Sequence, residues 1–302
     1  MIKKGVLIFL LFCVIFFGFP NKVSDEVQSY PEPSNIGQYV FEHQSYDQII
    51  KTFKGWEESS PKLIDVYSYG KSSKGTDLYC IKISNEYKPG DNKVLVTASI
   101  HGNEPLSTSV SMAYIGKILS GYGHDESLTN LLNNNTIYYV PVVSPDSYPS
   151  NRNVDGVDPN RNFPTLKDPN KNSITIIKNL QDLFLQIKPN SVFSCHTYGR
   201  MYLIPWGDSV KDNPDQDSYN SVVNEMGKLS NYKVLKTSEL YNKPIYGTEI
   251  DYYYRNGAFA IVAEFGTHQK KATLSDTQKE FERTFSSFIY FLNNSPKTLK
   301  NK

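Results

Sequence analysis

At 302 residues, with 39% hydrophobic and 13% aromatic content, the chain has ample material for a globular core. Its formal net charge is only +1 and no long basic run appears, so neither nucleic acid nor an acidic surface is expected as a partner. The length fits one large α/β domain or two small ones, and the 22 tyrosines are spread along the chain without forming a repeat.

Lys3 and Lys4 precede an uncharged apolar run from Gly5 to Phe19. That run has the length of a signal-peptide core and is short for a membrane span. No small-residue cleavage site stands near Phe19 and Pro20, so residues 1–22 read as a signal peptide or a retained N-terminal anchor. Cys13 follows Phe12, where a lipoprotein signal wants a small residue, which argues against lipidation. Residues 23–38 read as a short linker, 39–296 as one catalytic domain and 297–302 as a polar tail, in a secreted or cell-surface protein. Export permits disulfides, yet only Cys80 and Cys195 remain beyond the leader, and two buried free thiols are expected rather than a bridge.

In chain order, "YDQIIKTFKGWEE" carries apolar residues at helical spacing. "LIDVYSYG", "DLYCIKIS" and "KVLVTASI" read as strands, "LSTSVSMAYIGKILSGY" as a helix and "TIYYVPVV" as another strand. A Pro-, Asn-, Asp- and Gly-rich passage from Ser144 to about Asn170 follows, too long for an ordinary connection and expected to be a functional loop. Then come the helix "SITIIKNLQDLFLQIK", the strand "SVFSCH", a helix near "YNSVVNEMGKL", the strand "AFAIVAEF" and a closing helix "QKEFERTFSSFIYFLNN". Strands alternating with helices predict a three-layer α/β/α fold with a mixed, largely parallel twisted sheet, in which sites gather at the carboxyl ends of the strands.

Three predicted strands end on residues able to bind metal or move protons: His101, His196 and Glu264. His101 and Glu104 lie three apart at the lip of one strand, and His196 ends another, supplying the two-His, one-Glu set of a catalytic zinc with an open position. Polar residues at an exposed strand end are the plainer explanation of each taken alone, and His43, His124 and His268 are read that way. Glu264 follows the apolar "AFAIVA", a buried strand that places its carboxylate somewhere specific, and is the candidate general base. Within the long loop, Arg152, Asn160 and Arg161 offer donors suited to a carboxylate or an oxyanion, against a plainer reading as a solvated turn-rich loop.

Together these segments resemble the zinc carboxypeptidase family, metallopeptidases of the carboxypeptidase A type. "HGNE" resembles its His-x-x-Glu zinc motif, and "GVDPNRNFP" its Gly-Val-Asp-x-Asn-Arg-Asn-Phe segment. "CHTYGRMYLIPWG" resembles its third-ligand strand and following hairpin, and "FAIVAEFG" its catalytic glutamate strand. The four motifs stand in family order from about Tyr39 to about Asn293, and the lack of room for a folded propeptide resembles the bacterial branch. The resemblance implies one zinc ion on His101, Glu104 and His196, and Glu264 as base and acid towards a zinc-bound water. Asn160 and Arg161 would grip the C-terminal carboxylate of a peptide, and Arg152, in a compressed spacing, would polarise the scissile carbonyl. Tyr241, or Tyr246, would be the mobile tyrosine that closes over the substrate. The pocket for the last side chain would be set near Ile250, apolar unless Glu249 or Asp251 turns inward and makes it suit a basic residue or diaminopimelate.

The function expected is therefore removal of the C-terminal residue of peptides by a monomeric, exported enzyme that touches a membrane only if its leader is retained. The alternative is a cell-wall peptidase cutting γ-D-glutamyl-diaminopimelate bonds, against which "YGRMYLIPWG" speaks. A deacylase of the aspartoacylase or succinylglutamate type is disfavoured by the leader, and a noncatalytic binding protein by the intact ligand set.

Overall fold

The computed structural model describes residues 36–268 and 272–300. The leader at 1–22 and the first part of the linker lie outside them, and no described helix is long and apolar enough to cross a membrane. Among the described residues eight strands form one mixed sheet: β1 (Ile64–Lys71), β2 (Asp77–Ile83), β3 (Asn92–Ala98), β4 (Asn135–Val140), β5 (Ser191–Thr197), β6 (Met201–Ile204), β7 (Lys233–Lys236) and β8 (Phe259–Phe265). Their order is β1-β2-β4-β3-β5-β8-β6-β7. The central run β4-β3-β5-β8 is parallel, while β1, β2 and β6 pair antiparallel at the flanks.

Alternation along the central strands builds two cores, because successive side chains leave a strand on opposite faces. Val94, Val96, Phe193, Cys195, Ile261 and Ala263 face one way, against α1 (Tyr46–Ser59), α2 (Pro105–Gly121), α3 (Glu126–Asn134), α5 (Gln216–Ser230) and α8 (Leu274–Asn294). Leu95, Val192, Ala260 and Val262 face the other way, against α4 (Thr175–Ile187) and α7 (Glu249–Arg255). A short α6 (Thr237–Leu240) follows β7. The result is the helix-sheet-helix sandwich that the strand and helix pattern predicts.

Local chemistry sets the ends of these elements. Ser45 and Gln48 form a reciprocal capping box that starts α1. Thr273 and Asp276 do the same for α8, which therefore begins before the "QKEF" segment where periodicity becomes clear. β4 stops at Val140 because Pro141 has no N–H for the ladder. Asp125 caps α3, an element that the sequence pattern does not announce in a short Asn-rich stretch. Cys80 and Cys195 are buried free thiols. Residues 297–300, expected to be part of a polar tail, lie against the domain: Leu299 is buried and the Lys300 N–H donates to Asp215 Oδ1 at 2.7 Å.

Candidate metal centre and cleft

Three adjacent parallel strands deliver the central residues. β3 runs into Ser99, Ile100 and His101, while β5 carries His196 in register with Glu264 on β8. Glu104 sits just before Pro105, at the start of α2, and makes no side-chain cap there, which leaves its carboxylate to the site. Its backbone is pinned by Ser107 Oγ and Ser99 Oγ, both donating to the Glu104 carbonyl, at 2.7 and 3.1 Å. Gly102 between the two candidate ligands is a close-approach position: a Cβ there would stand 2.4 Å from Ser147 Oγ and 2.5 Å from the Ser147 carbonyl carbon.

Both imidazoles turn Nδ1 towards the same carboxylate. His101 Nδ1 lies 2.8 Å from Glu104 Oε1 and His196 Nδ1 lies 3.0 Å from Glu104 Oε2, with the two rings edge to face at 5.2 Å. All three side chains are buried, and their ligand atoms lie within 4.8 Å of one another. Each outer nitrogen meets a further carboxylate, His101 Nε2 at Asp158 Oδ1 (3.1 Å) and His196 Nε2 at Glu249 Oε1 (2.6 Å). An ionised carboxylate can only accept, so each Nε2 carries the hydrogen and each Nδ1 presents a lone pair. Two lone pairs aimed at carboxylate oxygens at these distances repel one another unless a cation stands between them. Two imidazoles and a carboxylate with outer carboxylates behind them suit zinc, so the residues present fit that metal.

Without metal, protons take the cation's part. Burial would lower the His196 pKa, but the charge and hydrogen bond of Glu104, with those of Glu249, drive it well above its usual value. The same opposition, with burial against Glu104 and Asp158, raises His101. Burial would raise Glu104 and Asp158, but the histidines beside them hold both carboxyls below their ordinary range, and Arg152 and Arg161 add to the effect on Asp158. Glu264 is different. It lines the cleft, burial dominates, and its pKa is pushed up to about 7, with His196 opposing the rise and the Glu104 charge adding to it.

A cavity of about 170 Å³ runs from this cluster, and its walls include Arg152, Asn160, Arg161, Tyr241, Ile250 and Glu264. Arg152 donates through Nε and Nη2 to Asp158 Oδ2 at 3.3 and 3.0 Å, and its Nη1 lies 3.7 Å from Glu104 Oε1. Asn160 and Arg161 come from a 3-10 turn, Pro159–Arg161, within the long loop. The Glu249 N–H donates to Asn160 Oδ1 at 2.8 Å, which fixes the amide with its NH2 on the other side. Tyr241 lines the cleft with Arg161 Cζ 5.5 Å from its ring centre, whereas Tyr246 stands outside it beneath Lys167. Ile250, Leu203 and Val262 make the cleft's apolar wall. Neither acidic neighbour of Ile250 turns into it: Glu249 is spent on His196, and Asp251 accepts from the Gly207 and Asp208 N–H groups at 2.8 and 2.9 Å.

His101, Glu104, Arg152, Asn160, Arg161, His196, Tyr241, Ile250 and Glu264 are therefore brought to one cleft, whereas Tyr246, Glu249 and Asp251 are not among its walls, and His43, His124 and His268 are not in the metal cluster. Sequence reasoning missed the two outer carboxylates as partners of the histidines. Asp158 stands inside "GVDPNRNFP" but is unremarkable as a loop aspartate, and in the sequence Glu249 is only a flank of Ile250.

Comparison with known proteins agrees with this geometry. Carboxypeptidase A4 of Mus musculus is 26% identical over 240 residues, which cover 65% of this chain and 56% of that protein. Carboxypeptidase D of Homo sapiens is 26% identical over 171 residues, covering 56% of this chain but only 12% of that much longer protein. The chain thus spans about a tenth of the carboxypeptidase D relatives it matches. Among solved structures, thrombin-activatable fibrinolysis inhibitor superposes with a TM-score of 0.75 at 19% identity, over 84% of this chain and 74% of that one, which is a likeness of fold. A profile of the zinc carboxypeptidase family matches residues 49–289, and the chain belongs to that family.

Proposed function

We propose that this cleft removes the C-terminal residue from peptides, with a preference for apolar side chains. The observation that carries the reading is that one cleft gathers the metal cluster and Glu264, the Asn160 amide and the Arg161 guanidinium, and an apolar wall that includes Ile250, Leu203 and Val262. An amide N–H and a guanidinium fork in the same cleft suit the free carboxylate of a peptide's end, which puts the last bond nearest the cluster. The wall carries no acid, which disfavours a basic terminal residue.

Zinc, when bound, supplies Lewis acidity that acidifies water and polarises a carbonyl oxygen. His101, Glu104 and His196 would hold it. Glu264, raised to about 7 by burial, is suited to take a proton from the attacking water as the new C–O bond forms. It returns that proton to the amine nitrogen as the C–N bond breaks. Arg152, fixed through Asp158 beside the cluster, presents its remaining donors where negative charge gathers on the carbonyl oxygen. Tyr241 closes over the bound end. The apolar run behind Lys3 and Lys4 exports the chain, so the substrates are extracytoplasmic peptides.

The test is a mass-spectrometric time course with the zinc-loaded protein on peptides that share a sequence and differ in a free or amidated C-terminus. Single apolar residues should leave free ends only, and Glu264→Gln should lower kcat by about 10²- to 10⁴-fold. Equal cleavage of amidated peptides, preference for terminal Lys or Arg, or an undiminished Glu264→Gln would each count against the proposal.

A further inference from the structure

Glu249 has no ordinary reason to be where it is. It is a carboxylate with no solvent exposure, it meets His196 Nε2 at 2.6 Å through Oε1, and its Oε2 has no hydrogen-bond partner among the described residues. Burying a half-satisfied carboxylate costs stability, and an apolar residue of similar volume at such a site is often neutral or better. Neither arginine of the cleft reaches it: Arg152 is bound to Asp158, and Arg161 Nη1 donates to the Asn160 carbonyl at 2.6 Å. Among the described residues, its side-chain hydrogen bond goes to the back of a residue whose front faces the metal cluster. His101 has its own outer carboxylate, but Asp158 is partly exposed and is shared with Arg152.

The geometry points to Glu249 as the positioning residue for the zinc site: it holds His196 with the hydrogen on Nε2 and the Nδ1 lone pair on the metal. Its place is set from the backbone, where its N–H is gripped by Asn160 Oδ1. Rotation of the His196 ring is thereby stopped from a residue outside the ligand set, and the electron-rich carboxylate behind the ring makes Nδ1 a stronger donor.

The inference rests on zinc binding by the cluster and not on the peptide reading, and its test uses no substrate. Zinc dissociation constants of the wild type and Glu249→Gln are measured by competition with a chromophoric chelator, with the visible spectrum of the cobalt-substituted proteins alongside. Expected is a loss of about 10- to 100-fold in zinc affinity for Glu249→Gln and a shifted cobalt spectrum, with Glu249→Asp losing less. Affinity within about twofold of wild type with an unchanged spectrum would assign the acid a merely structural role. Should either variant not fold, ¹⁵N NMR of the zinc-loaded wild type decides the matter: His196 must carry its proton on Nε2, and a proton on Nδ1 overturns the inference. A wild type that does not bind zinc overturns both this and the metal assignment, whereas zinc binding without peptidase activity overturns only the proposed function.

Discussion

Removing zinc should destabilise this protein by an amount that grows as the pH rises. In the metal-free cluster His101 and His196 have pKa values above the ordinary 6.5, so the stability they contribute is fully present below about 6.5 and is lost as pH rises through the raised values. Each imidazole that loses its proton turns a lone pair towards a Glu104 oxygen, at 2.8 or 3.0 Å. Glu264 works in the same direction. Its rise from 4.5 to about 7 corresponds to on the order of 3 kcal/mol of metal-free stability lost between those pH values. Zinc reverses both effects, because it needs neutral imidazoles and its charge favours an ionised Glu264. With free zinc about 1,000-fold above its dissociation constant, the ion adds about 4 kcal/mol, or roughly 8–16 °C in Tm for a domain of this size. Scanning calorimetry of zinc-loaded and chelator-treated protein from about pH 5.5 to about pH 8.5 should show the Tm gap opening towards high pH. A gap that stays constant or narrows with rising pH would refute the assignment of proton and metal to the same three side chains.

The apolar wall should be convertible: Ile250→Asp is expected to move the preference in kcat/KM from apolar towards Lys and Arg termini by about 10-fold or more, read from competing peptides in one tube. Arg161→Ala should lower kcat/KM by about 10- to 100-fold on free C-termini, the value of one charged hydrogen bond, while leaving the zinc dissociation constant unchanged. Two close-approach glycines of the site offer backbone tests. Gly102→Ala forces the backbone beside His101 away from Ser147 and should weaken zinc binding. Gly247→Ala, at φ +74° with a Cβ 2.6 Å from the Arg161 carbonyl oxygen, should raise KM for peptides.

Much of this site is legible in the sequence because the chemistry sits where strand periodicity ends. "KVLVTASI", "SVFSCH" and "AFAIVAEF" are apolar enough to be recognised as buried strands, and a titratable residue at the end of each is then conspicuous. Periodicity fails for short elements. β7 is four residues long, partly exposed and bounded by lysines, while α7 is seven residues with three successive tyrosines that suit a strand as well as a helix. Because α7 is not legible in the sequence, neither is the partner of Glu249. In sequence it is one of two acids flanking Ile250, and only the helical turn sends Glu249 to His196, Ile250 to the cleft and Asp251 to the Gly207 and Asp208 amides. Tyr241 and Tyr246 could not be separated for a related reason: no pattern inside an irregular loop states which side of it faces Arg161.

The contacts of the centre close on themselves. From Asp158 the path runs to His101, Glu104, His196 and Glu249, crosses to Asn160 through the Glu249 N–H, and returns through the Asn160 N–H to Asp158 Oδ1 at 2.9 Å. A ring of this kind holds each donor by two neighbours from different parts of the chain, which is how a loop residue such as Asn160 acquires the fixed orientation of a strand residue. It also means that single substitutions around the ring do not report independent energies, because the loss of one member relaxes the next. Asn160 belongs to the ring through its backbone and Oδ1, leaving its NH2 for the cleft. Grip on a substrate carboxylate and the set of the metal-facing imidazoles are therefore mechanically one unit, so a perturbation entered at Asn160 reaches His196 through only one intervening residue.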